Sequence, residues 1–119
     1  MKLLHVSLIV SDLEQAEKFY GGLLGLQRDD RPELGFHGIF YRLHGGQQLH
    51  VMQLDNPYDG CVLPAHGGRD RHVAFAVDDI AQMAARLAAA GVAITRSRSG
   101  RQAIFCRDAD GNAIELVAV

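Results

Sequence analysis

No single sign of charge dominates the 119 residues: 12 Lys and Arg face 14 Asp and Glu, for a net charge of −2. Bulk electrostatics therefore gives no case for a nucleic-acid or polyanion binder. Cysteine is scarce, with only Cys61 and Cys106, which excludes a disulfide framework and reads as two free thiols in a reducing compartment. No apolar run approaches the roughly 18 residues of a membrane span. The stretch Leu3–Val10 is interrupted by His5 and Ser7 and followed by Asp12 and Glu14, so it is not expected to act as a signal peptide. The expected setting is cytoplasmic. Tryptophan is absent and proline is limited to three residues.

What is present is 48% hydrophobic and 22% charged residues, an ordinary globular balance, with 13 glycines and six histidines. The glycines predict many turns and hence several short strands. The histidines raise the question of a metal.

The chain repeats itself. His5-Val-Ser-Leu-Ile-Val-Ser-Asp-Leu13 and His72-Val-Ala-Phe-Ala-Val-Asp-Asp-Ile80 share the pattern H-V-x-φ-x-V-x-D-φ, with φ apolar, at an offset of 67. Leu24-Gly25-Leu26 matches Ala90-Gly91-Val92 at 66, and Phe40-Tyr41-Arg42 matches Phe105-Cys106-Arg107 at 65. Gly46, Leu49 and His50 then fall on Gly111, Ile114 and Glu115 at the same offset of 65. Four matches in one order, with a drift of two residues, indicate duplication with small loop differences.

Each copy reads β-α-β-β-β. In the first, alternation predicts a strand over Leu3–Val10. Ser11 with Glu14 reads as a capping box for a helix that Gly25 ends. Strands are expected near Leu26–Asp29, Phe36–Leu43 and Gln47–Leu54. In the second, a strand over Arg71–Val77 precedes a helix capped by Asp79 with Gln82 and ended by Gly91. Strands follow near Val92–Ser97, Arg101–Arg107 and Asn112–Ala118, the last pair turning at Asp110-Gly111. The expected division is 1–54, a linker over 55–70, and 71–119.

The repeat puts His5 and His72 at equivalent points of the first strands, and His50 and Glu115 at equivalent points of the last. If first and last strands are neighbours, each module presents two metal-type side chains on one face. Ser7, Ala74 and Ala76 beside the histidines leave a hollow there. Three imidazoles and a carboxylate suit Zn, Ni, Co, Mn or Fe(II). A lone strand histidine is more often a satisfied structural residue, but that reading does not place all four at repeat-equivalent positions. His37, His44 and His66 have no repeat partners and read as ordinary. Arg96, Arg98 and Arg101 read as a solvated basic turn, with carboxylate or phosphate recognition as the functional alternative. The same applies to Arg69 and Arg71. Phe36, Phe40, Tyr41 and Tyr58 read as packing residues rather than a pocket wall.

These residues carry a resemblance to the vicinal oxygen chelate superfamily, which includes glyoxalase I, bleomycin-resistance proteins, extradiol dioxygenases, fosfomycin-modifying enzymes and methylmalonyl-CoA epimerase. It spans essentially the whole chain. Its most specific part is Arg107-Asp-Ala-Asp-Gly-Asn-Ala-Ile-Glu-Leu116, close to the family's D-P-D-G-N-x-x-E-L ending. The resemblance implies an α+β fold of two tandem βαβββ modules, each curving a sheet around a metal cup, and metal ligation by His5, His50, His72 and Glu115. At the position of His50, glyoxalase I usually carries Glu and the epimerase Gln. It further implies a small-molecule substrate and a homodimer, with the cup closed within one chain or across two.

Four ligands on an octahedral ion leave two positions for vicinal substrate oxygens, with Glu115 or His50 carrying a proton. That is isomerase or lyase chemistry of the glyoxalase I type. A His5, His72 and Glu115 triad without His50 leaves three positions, as an extradiol dioxygenase requires. Epoxide opening of the fosfomycin type and non-catalytic ligand sequestration stay open as well.

Overall fold

The computed structural model describes residues 1–119. The chain divides into two compact units, Met1–Asp59 and Gly60–Val119, and the stretch 55–70 is shared between them.

In the first unit, β1 (His5–Val10) leads into α1 (Leu13–Glu17) and a wider π-helical turn over Lys18–Leu23, followed by β2 (Gln27–Asp29), β3 (Gly38–Arg42) and β4 (Gln48–Gln53). The helix cap differs from the capping box expected at Ser11. Asp12 is the N-cap: it holds extended backbone, and its Oδ1 accepts from the Glu14 and Gln15 amides at 2.8 and 3.4 Å. Ser11 lies one residue too early to reach those amides. Gly25 at φ 74° ends the turn in the left-handed conformation that a glycine stop supplies.

The strands order as β1-β4-β3-β2, with β1 and β4 parallel and the other pairs antiparallel. Alternation gives the sheet two faces. One carries Val10, Ile39, Tyr41, Leu49 and Val51, all buried with Tyr20. The Tyr41 hydroxyl donates to Glu17, and burial together with that carboxylate pushes its pKa up. The opposite face carries His5, Ser7, Asp29, Gly38, Phe40, Arg42, Gln48 and His50.

The second unit repeats the plan. β5 (His72–Val77), α2 (Ile80–Ala89), β6 (Thr95–Arg96), β7 (Ala103–Arg107) and β8 (Ala113–Ala118) form a sheet ordered β5-β8-β7-β6. Asp79 caps α2 by accepting from the Gln82 amide at 2.9 Å. Strand β6 is only two residues long, shorter than the stretch expected, because the chain loops over Ser97–Arg101 before β7. Leu87, Ile104, Ile114 and Leu116 are essentially sealed from solvent. Cys106 lies in this core, where burial and nearby Asp108 raise its thiol pKa to about 12. Neither helix is long and apolar enough to cross a membrane.

The expected linker is not passive here. A 3-10 turn over Gly67–Arg69 lies across β7 and β8. A Cβ on Gly67 would sit 3.3 Å from that of Ala113 and 3.4 Å from that of Phe105. Arg107 ties the segment down, bonding Asp70 Oδ2 at 2.8 Å and the carbonyls of Gly111 and Pro64 at 2.7 Å each. The Arg107 hydrogen bond holds the Asp70 carboxyl below its usual pKa. A depressed carboxyl stabilises the fold fully above its unfolded value of about 3.9 and loses that contribution as pH falls through its folded value. Arg107→Met is expected to cost about 2 kcal/mol, the scale of charged hydrogen bonds, and to flatten stability against pH below about 4. Urea melts from pH 3 to 7 measure both, and an unchanged acid slope would exclude this pair as its source.

Candidate functional site

The register explains why repeat-equivalent residues meet. In the first sheet Ser7 stands opposite His50, and in the second Ala74 stands opposite Glu115. Each first strand therefore presents its histidine one pleat away from the polar residue of its last strand, on the same face. The structure brings His5 to His50 and His72 to Glu115. Neither unit gathers three His, Cys, Asp or Glu side chains about one point.

In the first unit, the rings of His5 and His50 stack at 4.1 Å between centroids and 11° between planes. Phe40, opposite His50 in register, stacks on its other side at 3.5 Å and 5°. The guanidinium of Arg31 lies 5.0 Å above Phe36 and 5.7 Å above Phe40. It fits there because Gly38 has no side chain: a Cβ would stand 2.9 Å from that guanidinium. His50 Nε2 meets Gln48 Oε1 at 2.9 Å. Gln48 Nε2 donates to Asp29 Oδ2 at 2.9 Å, and Arg42 donates to Asp29 Oδ1 at 3.0 Å. The Gln48 and Arg42 hydrogen bonds hold the Asp29 pKa down to about 2. Burial, with His5 and Arg31 adding, lowers that of His50.

In the second unit, His72 Nδ1 donates to the Asp70 carbonyl at 2.8 Å. Its Nε2 faces Glu115 Oε2, 3.2 Å away. Glu115 is buried with 4% of its surface exposed, and Arg101 donates to its other oxygen at 2.8 Å. Arg101 is thus a counter-ion of Glu115 and not the purely solvated turn residue expected. Phe105 presents its ring to His72 and His66 edge to face. His66, which reads as ordinary in the sequence, is buried, with Nδ1 2.7 Å from Thr95 Oγ1.

The donor chemistry can be tested against a divalent ion. Two ligand atoms about 2.1 Å from one ion and at right angles stand about 3 Å apart, close to the His72–Glu115 separation. The hydrogen bond from His72 to a backbone carbonyl is the usual support for a metal-binding imidazole. This pair fits. An imidazole binds an ion in its ring plane, along the nitrogen lone pair. The nearly parallel planes of His5 and His50 share no nearby point, so both can ligate one ion only if a ring turns.

A family profile for the Glyoxalase/Bleomycin resistance protein/Dioxygenase superfamily matches residues 2–116. The chain belongs to this superfamily. It is 31% identical to a lactoylglutathione lyase of Haemophilus influenzae, with 98% of this chain and 92% of the relative covered. It is 33% identical to the mitochondrial methylmalonyl-CoA epimerase of Homo sapiens, over 66% of this chain and 48% of that one. A crystal structure of a glyoxalase family protein from Bacillus anthracis has the same fold, with a TM-score of 0.77 at 24% identity and coverage of 99% and 94%.

Proposed function

We propose that this superfamily member is a metal-dependent isomerase or lyase of the glyoxalase I type, acting on a small 2-hydroxyacyl or 2-substituted acyl thioester or its carbonyl precursor. Two curated relatives support the substrate class: lactoylglutathione and methylmalonyl-CoA are both acyl thioesters. The observation that carries the proposal is the His72–Glu115 pair, an imidazole nitrogen and a buried carboxylate oxygen held at ligand spacing.

In the second unit His72 and Glu115 would hold the ion, and in the first unit His5 is the candidate ligand. When bound, a divalent cation supplies Lewis-acid stabilisation to a substrate oxygen that gathers charge. His50, stacked and hydrogen-bonded, carries the proton between substrate carbons, and Glu115 is the alternative carrier. Phe40 and His5 fix the plane of His50, so its proton transfer has a set direction. The enzyme is proposed to work as a homodimer.

A specific observation favours a second reading. The His5–His50 stack suits a three-residue ligand set, which is also what an extradiol dioxygenase needs.

One experiment separates the readings. Metal-free protein is titrated with Zn, Ni, Co, Mn and Fe(II). The loaded forms are assayed with a hemithioacetal, 2-substituted acyl thioesters and catechols, reading isomerisation and oxygen uptake. His50→Ala is expected to keep metal affinity within a few-fold while losing isomerisation by about 100-fold or more, the usual range for a proton carrier. Oxygen uptake with a catechol would replace this proposal with the second reading. Indifference to every ion would end both.

A further inference from the structure

We infer that Asp29 and Gln48 are positioning residues that lock His50 in one tautomer, protonated on Nε2 and bare on Nδ1. The lock follows from which atoms can donate. Asp29 receives Arg42 on one carboxylate oxygen and Gln48 on the other. A carboxylate only accepts, so the Gln48 atom facing it must be the NH2 group. Gln48 is then unable to turn that group anywhere else, and its carbonyl Oε1 faces His50 Nε2 at 2.9 Å. A carbonyl also only accepts, so Nε2 must carry the hydrogen. A neutral imidazole has one hydrogen and one lone pair, which leaves the lone pair on Nδ1.

The second unit holds its histidine differently. There the Asp70 carbonyl faces His72 Nδ1 at 2.8 Å, and the Glu115 carboxylate faces Nε2 at 3.2 Å. The difference is local. Gln48 stands where the repeat has Ala113, and Asp29 where it has Thr95, both by register. The chain thus contains two kinds of imidazole: one pinned by a side-chain relay, the other by its own backbone. In the first, only Nδ1 can accept a substrate proton or an ion without breaking the Gln48 bond.

The tautomer lock goes beyond the proposed function, and its test needs neither substrate nor metal. The metal-free full chain, labelled with 15N in histidine, is studied by long-range 1H–15N correlation at a pH where His50 is neutral. One nitrogen of His50 is expected at the bare position and the other at the protonated one, with Nε2 protonated. Gln48→Leu, which removes the acceptor, is expected to move the two shifts toward each other as the tautomers mix. Asp29→Leu, which frees Gln48 to turn its amide, is expected to mix the tautomers as well. Nδ1 protonated in the unmodified chain, or a mixture there, overturns the inference. So does an unchanged split in a folded Gln48→Leu protein. Loss of isomerase activity with a normal split would count against the proposed function and leave this inference standing.

Discussion

Replacing Glu115 with glutamine is expected to abolish most metal binding and most turnover together. The substitution keeps the volume of a buried side chain but removes the charge that faces both His72 Nε2 and the Arg101 guanidinium. An amide is a poor ligand for a transition metal, and outer-sphere changes alone weaken such sites by about 10–100-fold. A loss of more than about 100-fold in Zn or Ni affinity is therefore expected, with kcat down by about 100- to 10,000-fold. Competition with a chromophoric chelator reads the first, and steady-state rates on the preferred thioester the second. Affinity within a few-fold of normal in a folded Glu115→Gln protein would remove Glu115 from the ligand set. The variant must be checked by its melting curve, since Arg101 loses its counter-ion.

The largest stability effect is expected at the residue next door. Ile114 points to the other face of β8, is completely buried, and stands between Val73 and Cys106 in register. Ile114→Ala should cost about 3–4 kcal/mol, from lost transfer energy plus the cavity left behind. Against a total stability of about 5–15 kcal/mol this is a large share, and it should lower Tm by about 10 °C or more. Ile114→Val should cost about 1 kcal/mol. Leu3→Ala, at a side chain 60% exposed, should change stability by less than about 0.5 kcal/mol. Thermal and urea melts of the three variants give the ranking. A small effect at Ile114 would mean that the second unit repacks around the cavity.

The βαβββ plan is readable because duplication supplies its own check: a strand alternation seen twice is not chance. The four matched residues are readable for the same reason. The same device applied to the first helix would have pointed to its true cap, since Asp12 is the repeat partner of Asp79, which caps α2 as its sequence predicts. What escapes is what the two copies do not share. Gln48 and Asp29 have no counterparts in Ala113 and Thr95, so a search for sameness passes over them. Arg101 lies in a loop of serines, glycine and arginine whose composition is that of a solvated turn. Its approach to Glu115 depends on how Ser97–Gln102 bends, which no local pattern encodes. His66 sits in a proline- and glycine-rich stretch, and its burial follows from the anchoring of Pro64 and Asp70 by Arg107, contacts 43 and 37 residues distant in sequence.

The pairings Ser7 with His50 and Ala74 with Glu115 also determine where the gene can tolerate insertions and deletions. Strand side chains alternate, so losing one residue within β1 or β5 would turn the histidine to the opposite face. Between the strands no such penalty applies, and the two copies already differ in length there by two residues. A scan of one- and two-codon deletions should thus show activity vanishing at every single loss inside the short strand windows and better retained after double losses, with broad tolerance in the loops outside them.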